Sequence, residues 1–190
     1  MSGRISISAL ERVTMPSRLH FPNPVNEVAA RVVAAGVALI ALAAILSGQP
    51  WLSAVLAYGF CARVVAGPTL SPLGQLATRW LAPRLAAEPR WVPGPPKRFA
   101  QAIGATLTVS AAVATLALRA DGVADALLGA LVIAATLEAA LGLCLGCRVF
   151  GVLMRWGWVP ADVCAACSDL SGTAARAMRA AAAGRTAGPL

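Results

Sequence analysis

The residues with the most chemistry to offer are cysteines. Five occur in the chain, and four of them form two Cys-x-x-Cys pairs, Cys144–Cys147 and Cys164–Cys167, with Cys61 standing apart. The pairs are separated by 16 residues. That spacing matches a known zinc pattern, C-x2-C followed after 15–20 residues by C-x2-C. Four thiolates at about 2.3 Å would then close a tetrahedral structural site, with Arg148 and Arg155 near enough in sequence to offset its charge. The same pairs suit thiol redox or sulfur-transfer chemistry, which requires one thiol of lowered pKa, as a helix N-terminus provides. A third reading leaves the cysteines as small buried residues. Cys144, Cys147, Cys164 and Cys167 are therefore the candidate catalytic residues and, in the alternative, the zinc ligands.

The two pairs are expected to differ. Cys144 and Cys147 fall at the end of a long apolar run that reads as continuous helix, where the dipole disfavours a thiolate and knuckle geometry is lacking, although Gly142 and Gly146 could loosen that helix. Pro160 can begin a new helix with Asp162 in its first turn and Cys164 close behind, which favours Cys164 and Cys167 as the nucleophilic pair. Glu138 is the one carboxylate near the middle of an apolar run. An ionisable group there is costly and reads as functional, with a partner to be sought. Arg31 and Arg63 are the candidate partners, and the hydroxyls of Thr106, Thr108 and Thr136 are the alternative for a protonated Glu138. His20 is the only histidine and reads as a surface residue, which argues against haem ligation and multi-histidine metal catalysis. No phosphate-cradling glycine loop, paired carboxylate site or Ser/His/Asp set is visible.

The elements that must position these residues are membrane spans. Of the 190 residues, 58% are apolar and 13% charged, with a mean hydropathy of +0.73. The charged fraction is roughly half that of a soluble domain, which carries about 25%. This excludes disorder and an ordinary soluble globule, while the absence of alternating strands and aromatic girdles excludes a β-barrel. Four apolar segments follow, each tested against the roughly 20 residues that a helix needs to cross a bilayer: 28–46, 51–66, 99–118, and 123 to beyond Cys147. The expected fold is an all-α integral membrane protein of four transmembrane helices. A further interfacial helix is expected between spans 2 and 3, starting at Ser71-Pro72 with Leu73, Leu76 and Trp80 on one face; a surface loop is the alternative.

Every Lys and Arg except Arg119 falls on one side of this arrangement, out of 16. By the positive-inside rule that side, with both termini, is cytoplasmic, which points to a bacterial inner membrane. The net charge of +8 is then explained by topology and anionic lipid, not by nucleic acid. All five cysteines share the cytoplasmic side. A structural disulfide framework is disfavoured in that compartment, and a quinone-linked oxidant of exported proteins would need thiols on the other face. The chain divides into a polar segment 1–22, a membrane domain 23–156, a CxxC-bearing cytoplasmic segment 157–170 and a mobile Ala/Arg-rich tail 171–190. No cleavable signal peptide is expected, because residues 1–20 lack an apolar core.

Four stretches carry a family resemblance: Asn23-Pro24-Val25-Asn26, Ser71-Pro72-Leu73, Pro96-Lys97-Arg98-Phe99-Ala100-Gln101-Ala102-Ile103-Gly104, and Glu138 followed by Cys144-Leu145-Gly146-Cys147. Over residues 22–154 the chain resembles an uncharacterised bacterial family of four-span membrane proteins grouped under a domain of unknown function. No activity comes with that resemblance. It implies neighbours of thioredoxin-like or rhodanese-type sulfur chemistry, which suits a thiol role for Cys144 and Cys147; Cys164 and Cys167 lie beyond it. The function expected is thiol redox or sulfur transfer, with Cys164 or Cys167 exchanging with a cytosolic partner and passing oxidation state to Cys144 and Cys147. The rivals are a non-catalytic subunit of a larger membrane complex and a transporter of a sulfur compound using Glu138.

Overall fold

A computed structural model of the chain describes residues 21–85 and 90–164. The N-terminal segment with His20, Cys167 and the tail lie outside these residues. The first element is a two-residue strand, β1 (Val25–Asn26), which leads directly into α1 (Glu27–Ser47). Asn26 ends one and begins the other: its backbone is extended and its side chain accepts the Val28 N–H, satisfying one of the free amides of the first helical turn. Gly48, in the left-handed conformation, closes α1, and Pro50 opens α2 (Pro50–Ala66) at a position where a missing N–H costs nothing. A 3-10 turn (Gly67–Thr69) follows.

The segment expected at the interface is helical. Ser71 caps α3 (Pro72–Leu76) through the Gly74 N–H, a π turn (Ala77–Leu81) continues it, and α4 (Ala82–Leu85) ends it. This helical arm packs on α1, with Leu73 against Gly36, where a Cβ would stand 2.8 Å from the leucine side chain. Leu76 and Trp80 remain exposed, and Arg84 lies over the Trp80 ring.

Strand β2 (Trp91–Val92) pairs antiparallel with β1, Val25 opposite Val92, and so brings the entry of α5 (Gly94–Leu116) beside the entry of α1. Asn23 Oδ1 accepts the Gly94 N–H at 3.0 Å. Helix α6 (Asp121–Leu141) completes the set, followed by α7 (Leu145–Arg155) and a 3-10 turn (Ala161–Cys164). The four long helices form a closed ring in which α1 packs on α2 and α6, and α5 packs on α2 and α6. Alanines at the contact lines (Ala41, Ala111 and Ala124 are fully buried) let the helices approach closely, and Leu56, Phe60, Leu128 and Leu131 fill the centre. Leu39, Leu46, Tyr58, Val65 and Ile133 point outward. Each of the four helical segments beginning at Glu27, Pro50, Gly94 and Asp121 is long and apolar enough to cross a membrane. The chain is a multi-pass membrane protein.

Two boundaries differ from the sequence reading. The third span begins at Gly94, not Phe99, because Pro95 and Pro96 fit the first helical turn, where no intrahelical N–H bond is needed. The fourth span stops at Leu141 instead of running past Cys147. Gly142 at φ +69° terminates it in the left-handed conformation that glycine adopts without penalty, and a separate helix restarts at Leu145.

Candidate functional site

That interruption places the first cysteine pair. Cys144, extended at φ −82° and ψ 104°, is the N-cap residue of α7, and Cys147 lies in its first turn. The expected position near a helix C-terminus is thereby reversed: the helix dipole now favours a thiolate at Cys144. Gly146 makes the close approach possible. Its position abuts Ala100 of α5, where a Cβ would stand 2.6 Å from the alanine Cα, and Phe150 one turn on packs against Phe99 with ring centroids 5.6 Å apart. Cys144 is buried and Cys147 partly so; both are free thiols. The Cys147 thiol donates to Cys144 Sγ, which pulls the Cys144 thiol below its ordinary value in spite of burial and the nearby Glu138 carboxylate; the Lys97 charge adds to the lowering. The same hydrogen bond, together with burial, raises the Cys147 thiol, so Cys147 keeps the proton.

Beside the pair lies an ion pair that the sequence reading missed. Lys97 Nζ donates to Glu138 Oε1 at 2.5 Å, with the lysine side chain 9% exposed and the glutamate 18%. Lys97 precedes the expected third span, 99–118, and its sequence position alone gives it no partner. The available signal was the Pro95-Pro96 helix start, which puts Lys97 inside the first turn of a span. The predicted partners of Glu138 have other occupations. Arg31 donates from Nε to the Ala139 carbonyl and from Nη2 to the Ala140 carbonyl, at 3.1 and 2.8 Å, and so satisfies the end of α6. Arg63, 5% exposed, donates from Nε to Gln101 Oε1 and from Nη1 to Ser71 Oγ, at 2.9 and 3.1 Å. Its guanidinium also lies 4.4 Å from the Phe60 ring centroid. The Thr106 and Thr108 hydroxyls bond carbonyls of their own helix.

Arg63, Gln101, Glu138 and Cys144 share the wall of a cavity of about 300 Å³ inside the ring, whose remaining surface is mostly apolar, with Phe60 and Leu131 prominent. The four stretches that carry the family resemblance thus converge on one end of the bundle. Asn23 and Asn26 fix the entries of α5 and α1, Ser71 holds Arg63, Lys97 and Gln101 project from α5, and Cys144 begins α7.

Of the second cysteine pair, Cys164 is not among the residues that line this cavity, and Cys167 lies outside the described residues. Cys164 is buried at the end of the 3-10 turn, which packs on α5, and is disulfide-bonded. The helix expected from Pro160 is only this turn within the described residues. No group of three or more His, Cys, Asp or Glu side chains that could hold a metal is found among the described residues.

A family model described as a domain of unknown function (DUF4395) matches residues 25–155, close to the extent of the resemblance noted above. No curated protein and no solved structure matches the chain.

Proposed function

Because the chain belongs to the DUF4395 family, whose function is unknown, we propose its role from the site itself: thiol–disulfide exchange or sulfur transfer, with Cys144 as nucleophile and Cys147 as the resolving thiol. The observation that carries this reading is the position of the pair at the start of α7, with Cys147 donating to Cys144. A thiolate at that position is stabilised both by the helix N-terminus and by a neighbouring donor. It is Cys144, not Cys164, that has this environment.

In exchange, the Cys144 thiolate attacks one sulfur of a partner disulfide. An S–S bond forms between Cys144 and the partner as the partner's second sulfur leaves as a thiolate. Cys147 then loses its proton and attacks Cys144 Sγ, releasing the first partner sulfur. The products are a Cys144–Cys147 disulfide and a partner dithiol, two electrons having passed to the partner. A thioredoxin-like or rhodanese-type protein is the class of partner this chemistry fits. The asymmetric distribution of Lys and Arg supports a cytoplasmic-membrane location with the site on the inner side, where such partners are found.

The test is trapping. Cys147→Ser removes the resolving thiol and is expected to accumulate a mixed disulfide with a disulfide-bearing thioredoxin-like substrate, whereas Cys144→Ser forms none. Equal trapping by both variants, or by neither, would sink the assignment.

A further inference from the structure

Arg63 and Glu138 both line the cavity between the helices. Glu138 Oε1 accepts from Lys97 Nζ, and the carboxylate acts on Arg63 through its charge, with no hydrogen bond to the guanidinium among the described residues. Two of its nitrogens are committed to Gln101 and Ser71, which fix the guanidinium plane. The third, Nη2, is buried and has no hydrogen-bond partner among the described residues. A buried, half-bonded guanidinium is costly unless an anion completes it. Arg63 lines the cavity, and the cavity has room for a ligand of several heavy atoms.

We propose that this cavity is a binding site for a small free oxyanion, a sulfonate or carboxylate, whose negative group is held by Arg63 Nη2 and whose body lies against Phe60 and Leu131. Gln101 and Ser71 act as positioning residues that aim the guanidinium. Cys144 forms part of the same wall, so an occupant covers its thiol. The site does not depend on exchange chemistry, because Arg63 Nη2 and the cavity are present whether or not the thiol pair exchanges.

The probe is methanesulfonate, which carries the sulfonate group without reacting with thiols. Two readouts apply to the full-length protein in detergent: the unfolding midpoint, and the alkylation rate of Cys144 measured peptide by peptide, with exposed Cys61 as the internal reference. At ten times the dissociation constant, alkylation of Cys144 is expected to slow about tenfold, because only the free fraction reacts. Cys61 is expected to be unaffected. Arg63→Gln abolishes the protection and the midpoint shift. If that variant does not fold, Ala135→Val, which narrows the cavity from the opposite wall and leaves Arg63 bonded, carries the same expectation. Protection that persists in either folded variant overturns the proposal, as does its absence up to 0.1 M probe, a level at which a weak millimolar site would be filled. Protection by phosphatidylglycerol micelles and not by methanesulfonate overturns it in favour of a lipid headgroup.

Discussion

At one end of the helical ring, Arg63, Lys97, Glu138, Gln101 and Ser71 are held in direct polar contacts beside the Cys144–Cys147 pair. At the other end, between the Ser47–Pro50 turn and the turn before Asp121, the helices meet through alanines and a hydrogen bond between Ser53 and Thr115 at 3.3 Å. Helices α1, α2 and α5 carry their Arg and Lys residues at the first of these ends, and α6, which has none, brings Glu138 to it. In lipid a polar group is tolerated only when partnered, so a cluster this dense at one end marks where the molecule departs from simple packing. The far end shows what packing alone requires.

The largest expected effect comes from breaking the ion pair. Glu138→Leu leaves Lys97 buried and uncompensated, and is expected to lower stability by about 3–5 kcal/mol. The double variant Lys97→Met/Glu138→Leu is expected to recover most of that loss. Unfolding curves in detergent measure both, and a double variant as unstable as the single one would mean the pair is not the relevant interaction. Gly146→Ala comes next. Its Cβ would meet the Ala100 backbone at 2.6 Å and push the start of α7 away from α5, which costs about 1–3 kcal/mol as overpacking and slows thiol exchange. Gly122→Ala at the far end meets nothing within 4 Å and is expected to be neutral or stabilising by about 0.5 kcal/mol.

A further prediction concerns pH. Because Cys147 donates to Cys144 and lowers its pKa, the Cys144 thiolate appears at lower pH than that of an ordinary cysteine, and alkylation of Cys144 should rise correspondingly early. Cys147→Ala removes the donor and is expected to move that rise to higher pH. An unmoved pH profile would assign the lowering to another cause. A small loss is expected at the far end: Ser53→Ala is expected to cost about 0.6 kcal/mol, typical of a single polar contact between membrane helices. A loss as large as that from Glu138→Leu would remove the distinction between the two ends.

Much of this arrangement was legible beforehand. The end of the second span at residue 66, the Ser71 cap and Pro72 start of the helical arm, and the apolar cores of all four spans follow from local signals that the structure repeats. Glu138 was recognisable as a residue in need of a partner. What was not legible was which partner. Arg31 and Arg63 stood in the expected places, but Arg31 is used by the Ala139 and Ala140 carbonyls and Arg63 by Gln101 and Ser71. The Cys144 environment was misread because apolar residues continue through Gly142, and hydropathy does not register a single left-handed residue. Gly142 itself was the local clue, since a glycine near the end of a helix is a common terminator.

The sequence by itself determined that four helices cross a membrane, because burying backbone in lipid leaves helices as the form for long apolar runs, and the distribution of Arg and Lys separates one end from the other. Tertiary structure alone decided that Lys97 meets Glu138 across 41 positions, that Arg63 keeps a nitrogen without a partner among the described residues, and that Cys144 shares a cavity wall with Arg63 and Glu138. These are contacts between helices, set by rotation and depth in the ring, and no periodicity within one segment records them.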